Sequence, residues 1–260
     1  MNIDFIKRRL IGNKILEDLI YFEEIESTNA FAKDTDTPGD VMVLTSNQKS
    51  GRGRFERKWG SEKDKDITLS IIKSFQIDVQ NLHLVNFYTS YSVLQTLLKH
   101  CGESGNKFSL KWPNDVLLNG KKICGILTDC SDINSKHKKF IIGIGININR
   151  VLFDVEIRDK ATSLFLEFGE KFVMEEIICE LIEFFYENIN LINKKEKLIQ
   201  LWKNYTQIIG KRALIKVFEN SSEKMIKILD IDLDGGIKVE IENDEKFKYF
   251  SGDISVIETF

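Results

Sequence analysis

The chain has 260 residues, of which 42% are apolar, a size that fits one large domain or one domain with a small appendage. Its net charge of −3 argues against general electrostatic attraction to nucleic acid. It has no apolar run of about 18 residues, no signal-peptide pattern at Met1–Phe5 and no CxxC pair, so we expect a cytoplasmic protein with reduced thiols and no membrane span.

The N-terminal region predicts helix, strand and helix in turn. Apolar residues at helical spacing in residues 3–20 predict one or two short helices, and residues 21–25 are typical of a strand. Ser27, Thr28 and Asn29 then form a good N-cap for a helix. An ordinary cap explains these residues, but polar side chains at a helix N-terminus also suit a polar ligand head.

A basic, glycine-rich loop follows the apolar strand 41–45. Residues 50–60 read Ser-Gly-Arg-Gly-Arg-Phe-Glu-Arg-Lys-Trp-Gly, and Gln48 stands just before them. Arginine binds carboxylates and phosphates through paired donors, and glycine adopts positive φ without strain. The loop therefore predicts an anion grip or, alternatively, a solvated basic turn. It matches neither a Walker loop nor a dinucleotide fingerprint.

Two later stretches add polar residues to apolar strands. Asn119-Gly120 is a strong hairpin signal between strands at 116–118 and 122–128, and it predicts that Lys111, Asn114, Asp115 and Lys122 cluster near one hairpin. In the strand 140–149, Gly143 and Gly145 indicate close approach of a ligand or another backbone, or tight packing against a helix.

The remaining elements complete the fold prediction. Amphipathic helices are expected at 82–98, 172–192 and 194–205. Five short strands follow Gly210 and predict a small SH3-like barrel. We therefore predict an α+β fold in which helices flank a mixed sheet, with one domain at 1–208 and the barrel at 209–260.

These stretches, in this order, resemble the biotin–protein ligases. The resemblance spans most of the larger domain and rests on several motifs together. They are Ser-Thr-Asn at 27–29, Gln48, Gly-Arg-Gly-Arg-x-x-Arg-x-Trp at 51–59, Lys-Trp-Pro-Asn-Asp at 111–115, Lys-Ile-Cys-Gly-Ile-Leu at 122–127, Gly-Ile-Gly-Ile-Asn at 143–147 and Ala-Thr-Ser-Leu at 161–164.

The resemblance implies two half-reactions. Biotin and ATP would give biotinyl-5′-AMP and pyrophosphate, and the biotinyl group would then pass to a lysine of the biotin carrier domain of a carboxylase. It implies a biotin/lipoate ligase-like catalytic domain, with ATP, Mg²⁺ and biotin as ligands, and it allows a homodimer. Because Ser27 comes too early for the N-terminal helix-turn-helix of some family members, we expect no nucleic acid as partner.

The resemblance also implies residue roles. Arg54, Lys122, Lys111 and Asp115 would be catalytic, and Asp115 would act as a base or as a magnesium ligand. The residues implied in biotin binding are Ser27, Thr28, Asn29, Gln48, Arg52, Gly53, Arg54, Lys122, Gly125, Gly143 and Gly145. The residues implied in nucleotide binding are Arg52, Arg54, Arg57, Trp59, Lys111, Asn114 and Asn147.

Two other functions remain open on the sequence. A lipoate or octanoate ligase would share the domain, although it would be expected to lack the arginine loop. A biotin-binding regulator without catalysis would not need cations for phosphate. Since family members often carry an arginine near the C-terminus and residues 256–260 contain none, a nucleotide role for the barrel is also open.

Overall fold

The computed structural model describes residues 1–37, 39–102, 108–217, 222–241 and 245–257, apart from the Glu56 side chain. Its larger sheet has seven strands, and a two-stranded ribbon formed by β3 and β4 stands beside it. The strands are β1 Asp18–Phe22, β2 Val41–Thr45, β3 Gly51–Arg52, β4 Lys58–Trp59, β5 Asp66–Gln76, β6 Phe108–Lys111, β7 Asp115–Leu118, β8 Lys121–Ser131 and β9 His137–Asn147.

The larger sheet is mixed, with the strand order β1-β2-β5-β9-β8-β7-β6. Strands β1 and β2 are parallel, and every other neighbouring pair is antiparallel. The central pair, β5 and β9, stays in register from Asp66↔Asn147 to Gln76↔His137. Both strands carry runs of Ile and Leu that are buried, as expected for strands covered on both faces.

Helices cover the two faces of this sheet unequally. They are α1 Ile3–Leu10, α2 Thr28–Asp34, α3 His83–Cys101, α4 Leu164–Phe168, α5 Met174–Glu187 and α6 Lys195–Lys203. Helices α1, α3, α5 and α6 pack together and contribute to the main apolar core. On the other face, α2 covers a small apolar cluster around Val43 and Ile141. The remainder of that face is where the candidate site lies.

The C-terminal part forms a second, antiparallel sheet of five strands in the order β13-β12-β11-β10-β14. The strands are β10 Arg212–Lys216, β11 Lys224–Ile231, β12 Ile237–Glu240, β13 Lys246–Tyr249 and β14 Asp253–Val256. This sheet has the form of an SH3-like barrel, so the predicted fold class is confirmed. The buried Trp112 Nε1 donates to Gly235 O at 2.9 Å, and Lys203 of α6 pairs with Asp230 of β11. These contacts attach the second sheet to the larger part of the molecule. The predicted boundary at 208/209 falls between α6 and β10 and stays a prediction.

The first strand was placed wrongly by the sequence pattern. It runs over Asp18–Phe22 and not over 21–25. Helix α1 ends at Leu10, and Lys14 takes a left-handed conformation with φ 58°. Leu19, which fits the helical spacing, is therefore buried by pairing with Met42 in the sheet.

Candidate active site

One cleft of about 710 Å³ lies between α2, the basic loop, the sheet surface and the second sheet. It brings together every residue implied in catalysis or ligand binding. They are Ser27, Thr28, Asn29, Gln48, Arg52, Gly53, Arg54, Arg57, Trp59, Lys111, Asn114, Asp115, Lys122, Gly125, Gly143, Gly145 and Asn147. The structure thus confirms that these residues are neighbours, while their roles stay predictions.

One end of the cleft is neutral, buried and already hydrogen-bonded. Gln48 Oε1 accepts from Thr28 N at 2.9 Å and from Thr28 Oγ1 at 3.2 Å. Ser70 Oγ contacts Thr28 Oγ1 at 2.8 Å and Asn29 Oδ1 at 2.5 Å. Ser27 caps α2 by accepting from Ala30 N. These neutral donors and acceptors are held before any ligand arrives, which is the arrangement that recognises an uncharged polar group.

The strand glycines make room for side chains of the protein itself. A Cβ on Gly143 would lie 2.2 Å from Asn29 Oδ1, and one on Gly145 would lie 2.3 Å from the Trp59 indole. A Cβ on Gly125 would lie 2.9 Å from the same ring. Of the interpretations open on the sequence, tight packing against a helix is correct for Gly143, which meets Asn29 of α2, whereas Gly145 is approached by the Trp59 side chain of the loop.

The basic loop is closed at its base and strained at its tip. Gln48 N donates to Ser61 Oγ at 2.9 Å, and Ser61 Oγ donates back to Gln48 O. The left-handed residue is Phe55, at φ 56°, whereas Gly53 has φ −106°. The expectation that glycines supply positive φ here is therefore wrong. Gly51 supplies space instead, because a Cβ there would meet Gln48 Nε2 at 2.4 Å. A bulky residue at positive φ is a strained feature typical of functional loops.

The predicted cluster around the 119–120 hairpin is confirmed. Lys122 Nζ pairs with Asp115 Oδ1 at 2.6 Å, and Lys111 stands opposite Asp115 in the β6–β7 register. Asn114 is buried and donates to Ile126 O at 2.6 Å, which fixes its side chain. Asn119 and Gly120 have φ of 52° and 77°, as a tight hairpin turn requires.

The far end of the cleft is closed by the second sheet, through the residues between β13 and β14. Arg54 donates to Ser251 Oγ at 2.8 Å and to Gly252 O at 3.2 Å. Arg57 Nη1 lies 2.7 Å from Asp253 Oδ2, and Lys111 Nζ lies 3.7 Å from Asp253 Oδ1. Burial lowers the pKa of Arg54, while Asp115 and Asp253 oppose that shift. Arginine remains charged in proteins, so this end stays cationic.

Asn147 and Trp59 lie at the middle of the cleft. Asn147 is buried, and its Nδ2 donates to Thr162 O at 2.9 Å, which links β9 to the segment before α4. The Lys122 ammonium lies 5.8 Å from the centre of the Trp59 ring. The middle of the cleft therefore offers an aromatic surface and an amide beside a cation.

Sequence reasoning missed several residues of the site. Asp253 carries no local motif, and only the folded chain brings it to the cleft. Ser70 likewise carries no motif, and it supports the site by hydrogen-bonding Thr28 and Asn29. The rim also includes Phe153 and Ile157, from a segment with exposed apolar side chains at Leu152 and Val155. The feature of the sequence that could have identified Phe153 and Ile157 is the run of apolar residues around them, which lies outside the described strands and helices.

The described residues contain no group of three or more His, Cys, Asp or Glu side chains placed to hold a metal. The four cysteines are free, and burial raises the pKa of the Cys124 thiol, which lies within a strand. No helix in the described ranges has the length and apolar character needed to cross a bilayer.

Comparison with known proteins identifies the family and the fold of this chain. A model of the biotin/lipoate A/B protein ligase family matches residues 21–147. The bifunctional ligase/repressor BirA of Bacillus spizizenii is 30% identical over 247 residues, which cover 92% of this chain and 74% of that protein.

Two solved structures share the fold. The biotin protein ligase from Aquifex aeolicus in complex with biotin and ATP has a TM-score of 0.76 at 24% identity, covering 94% of this chain and 100% of that one. The enzyme from Leishmania major in complex with biotinyl-5-AMP has a TM-score of 0.62 at 18% identity, covering 93% and 99%. Together with the BirA relative, these findings show that the chain belongs to the biotin/lipoate A/B protein ligase family, among its biotin–protein ligases.

Proposed function

We propose that this chain joins biotin to ATP, giving biotinyl-5′-AMP and pyrophosphate, and then transfers the biotinyl group to a lysine of a carboxylase's biotin carrier domain. One observation carries the proposal. A buried, neutral hydrogen-bonding pocket opens directly onto a cluster of cations in the same cleft. The pocket suits the uncharged ring head of biotin, and the cations suit its carboxylate together with the phosphates of ATP. The cations are Arg52, Arg54, Arg57, Lys111 and Lys122.

In the first half-reaction, a biotin carboxylate oxygen attacks the α-phosphorus of ATP, and the bond to the bridging oxygen breaks to release pyrophosphate. The two reactants are anions that repel each other. Lys122 and Lys111, which flank Asp115, would neutralise them and hold them in line. Preorganised charge of this kind supplies much of the rate in comparable sites. Arg52 is exposed on the loop and is the cation best placed to fold over the product.

In the second half-reaction, the amine of the acceptor lysine attacks the biotinyl carbonyl carbon, and AMP leaves. The amine loses a proton in this step, and Asp115 is the carboxylate that we nominate to accept it. Its partner is Lys122, whose Nζ lies 2.6 Å from Asp115 Oδ1. No side-chain nucleophile is needed, because the mixed anhydride is already activated.

The remaining roles follow from position. Ser27, Thr28, Asn29 and Gln48 would hydrogen-bond the biotin head, with Gly125, Gly143 and Gly145 forming the floor beside it. Trp59 and Asn147 would contact adenine, and Asn114 would support Arg54, whose Nη1 it meets at 3.4 Å. Gly53 and Arg57 would shape the loop over the phosphates.

Magnesium fits this site only as a companion of ATP. Mg²⁺ commonly binds through one or two carboxylates together with substrate phosphates and water. Asp115 is a suitable single ligand, although it is paired with Lys122. When bound, the ion would offset phosphate charge. The homodimer and the absence of a nucleic-acid partner stay predictions.

The test is pyrophosphate exchange into ATP with biotin, lipoate and octanoate in parallel, for the wild type and Arg54→Ala. We expect exchange with biotin alone and a strong reduction in the variant. Exchange with lipoate or octanoate would move the protein to the lipoate branch of the family. Tight biotin binding without exchange for any acid would identify a regulator and contradict catalysis.

A further inference from the structure

The second sheet places one carboxylate inside the cation cluster of the cleft. Asp253 begins β14, and its two oxygens face different parts of the molecule. Oδ2 lies 2.7 Å from Arg57 of the basic loop, and Oδ1 lies 3.7 Å from Lys111 at the end of β6. One carboxylate thus bridges the loop and the sheet, at residues separated by 196 and 142 positions in the chain.

This carboxylate is ionised at neutral pH. Partial burial alone would raise the pKa of Asp253, but Lys111 and Arg57 outweigh it, and the pKa is lower than usual. It lies between a guanidinium and an ammonium, which are the groups that bind phosphate oxygens in proteins. The cleft therefore contains a negative group of the protein itself between two of its cations.

A ligand phosphate entering this end meets two effects of Asp253. It has to share Arg57 and Lys111 with the carboxylate, and it is repelled by the carboxylate's charge. The neighbouring contacts do not repel an anion in this way, because Arg54 donates to the uncharged oxygens Ser251 Oγ and Gly252 O. Among Ser251, Gly252 and Asp253, which contact the loop, Asp253 is the residue that opposes an incoming anion.

We infer that Asp253 sets the affinity for ATP by competing with a phosphate for Arg57 and Lys111. The inference rests on the proposed function, because it takes ATP as the ligand of this end. It gives the second sheet a role in nucleotide binding that does not depend on an arginine at the C-terminus. Asp253 acts through Arg57 and Lys111 and not on the reacting atoms, so it is a positioning residue.

The test compares Asp253→Asn with the wild type. Asparagine keeps the shape and one acceptor but removes the charge. We expect the Kd for ATP alone to fall about two- to fivefold, in line with the energy of one partly exposed ion pair. The Kd for biotin should not change, since the neutral end of the cleft is untouched. In pyrophosphate exchange, the KM for ATP should fall while kcat does not rise.

A matched control is available on the same sheet. Asp230 on β11 pairs with Lys203 on α6 at 2.6 Å, so it also joins the second sheet to the main body, but it lies outside the cleft. Asp230→Asn should leave the Kd for ATP unchanged. The effect of Asp253→Asn should also shrink when Arg57 is already replaced by Gln, which a purely structural effect on the sheet would not produce.

The outcomes distinguish a failure of the role inferred for Asp253 from a failure of the proposed function. An unchanged or higher Kd for ATP in a folded Asp253→Asn protein overturns the role of Asp253. An equal fall in Asp230→Asn overturns it as well, because the effect would then come from loosening the sheet. Absence of biotin-dependent exchange in the wild type contradicts the proposed function, and the direct ATP titration still decides on Asp253.

Discussion

The two ends of the cleft differ in how their polar groups are satisfied before a ligand binds. At the neutral end, Thr28, Asn29, Gln48 and Ser70 hydrogen-bond one another and are buried. At the cationic end, Lys122 is held by the Asp115 carboxylate and Arg57 by the Asp253 carboxylate. The first end uses neutral atoms, and the second uses full charges.

This difference has an energetic consequence. A neutral, prearranged pocket loses little order when it binds an uncharged head, so its affinity depends on shape and hydrogen bonds. Charges that are paired within the protein have to exchange partners when phosphates bind, so the net gain in free energy is smaller than the attraction alone. Replacements at the two ends should therefore separate biotin binding from ATP binding and catalysis.

The largest effect is expected from Lys122→Met. It removes the cation nearest to Asp115 and Trp59 and leaves that carboxylate unpaired. Biotin-dependent pyrophosphate exchange should fall about 100- to 1,000-fold, as for the loss of one preorganised donor. Lys121→Met is the control, because its side chain does not line the cleft. A similar loss in both variants would contradict the assignment.

The base of the basic loop should respond to pH. Asp66 is buried beside Arg150, whose Nε lies 3.6 Å away, and burial raises the pKa of Asp66 to about 6. Because the folded pKa exceeds the unfolded value of about 3.9, the folded state binds more protons between these pH values. The unfolding free energy of the wild type relative to Asp66→Asn should fall by about 2 kcal/mol from pH 4 to 7. Parallel pH profiles in urea unfolding would contradict this.

The middle of the cleft should be sensitive to a single methyl group. Gly145→Ala would place a Cβ within 2.3 Å of the Trp59 ring, so the indole has to move. Overpacking of this kind costs about 1–3 kcal/mol, and we expect ATP affinity to weaken. Gly60→Ala is a suitable control, since its nearest neighbour would be Arg150 Nη2 at 3.7 Å. Equal ATP titrations for both variants would show that Trp59 does not shape the nucleotide site.

The smallest expected effect separates the two ends most cleanly. Gln48→Ala removes the acceptor of two Thr28 donors, each bond contributing about 1 kcal/mol. The KM for biotin should rise about tenfold while the KM for ATP stays constant. Asn47→Ala, which loses an amide bonded to Glu24 at the surface, should change neither value. A rise in the KM for ATP with Gln48→Ala would contradict the independence of the two ends of the cleft.

Local patterns in the sequence predicted much of the fold. The strand at 41–45 lies where its run of β-branched and apolar residues indicated, and the 119–120 hairpin brings Lys122 to the carboxylate of Asp115. The first strand was predicted too late in the chain because Leu19 fits a helical spacing as well as a strand. Short apolar runs carry both periods, and only pairing with β2 decides between them.

The site was predictable in composition but not in arrangement. Motifs named many residues of the cleft, yet no motif marks Asp253, which reaches it through long-range packing, or Ser70, which hydrogen-bonds Thr28 and Asn29. The position of Trp59 on Gly125 and Gly145 likewise depends on how the loop folds back over the sheet. Contacts between residues far apart in the chain have no local signature, so they required the structure.

The most direct test of adenylation is to identify the product that the protein retains. The wild type is incubated with biotin, ATP and Mg²⁺ without an acceptor, passed through a desalting column and examined by mass spectrometry for bound small molecules. The account predicts about one equivalent of biotinyl-5′-AMP per chain, because both ends of the cleft hold it. Recovery of biotin alone, with ATP left unconsumed, would contradict it.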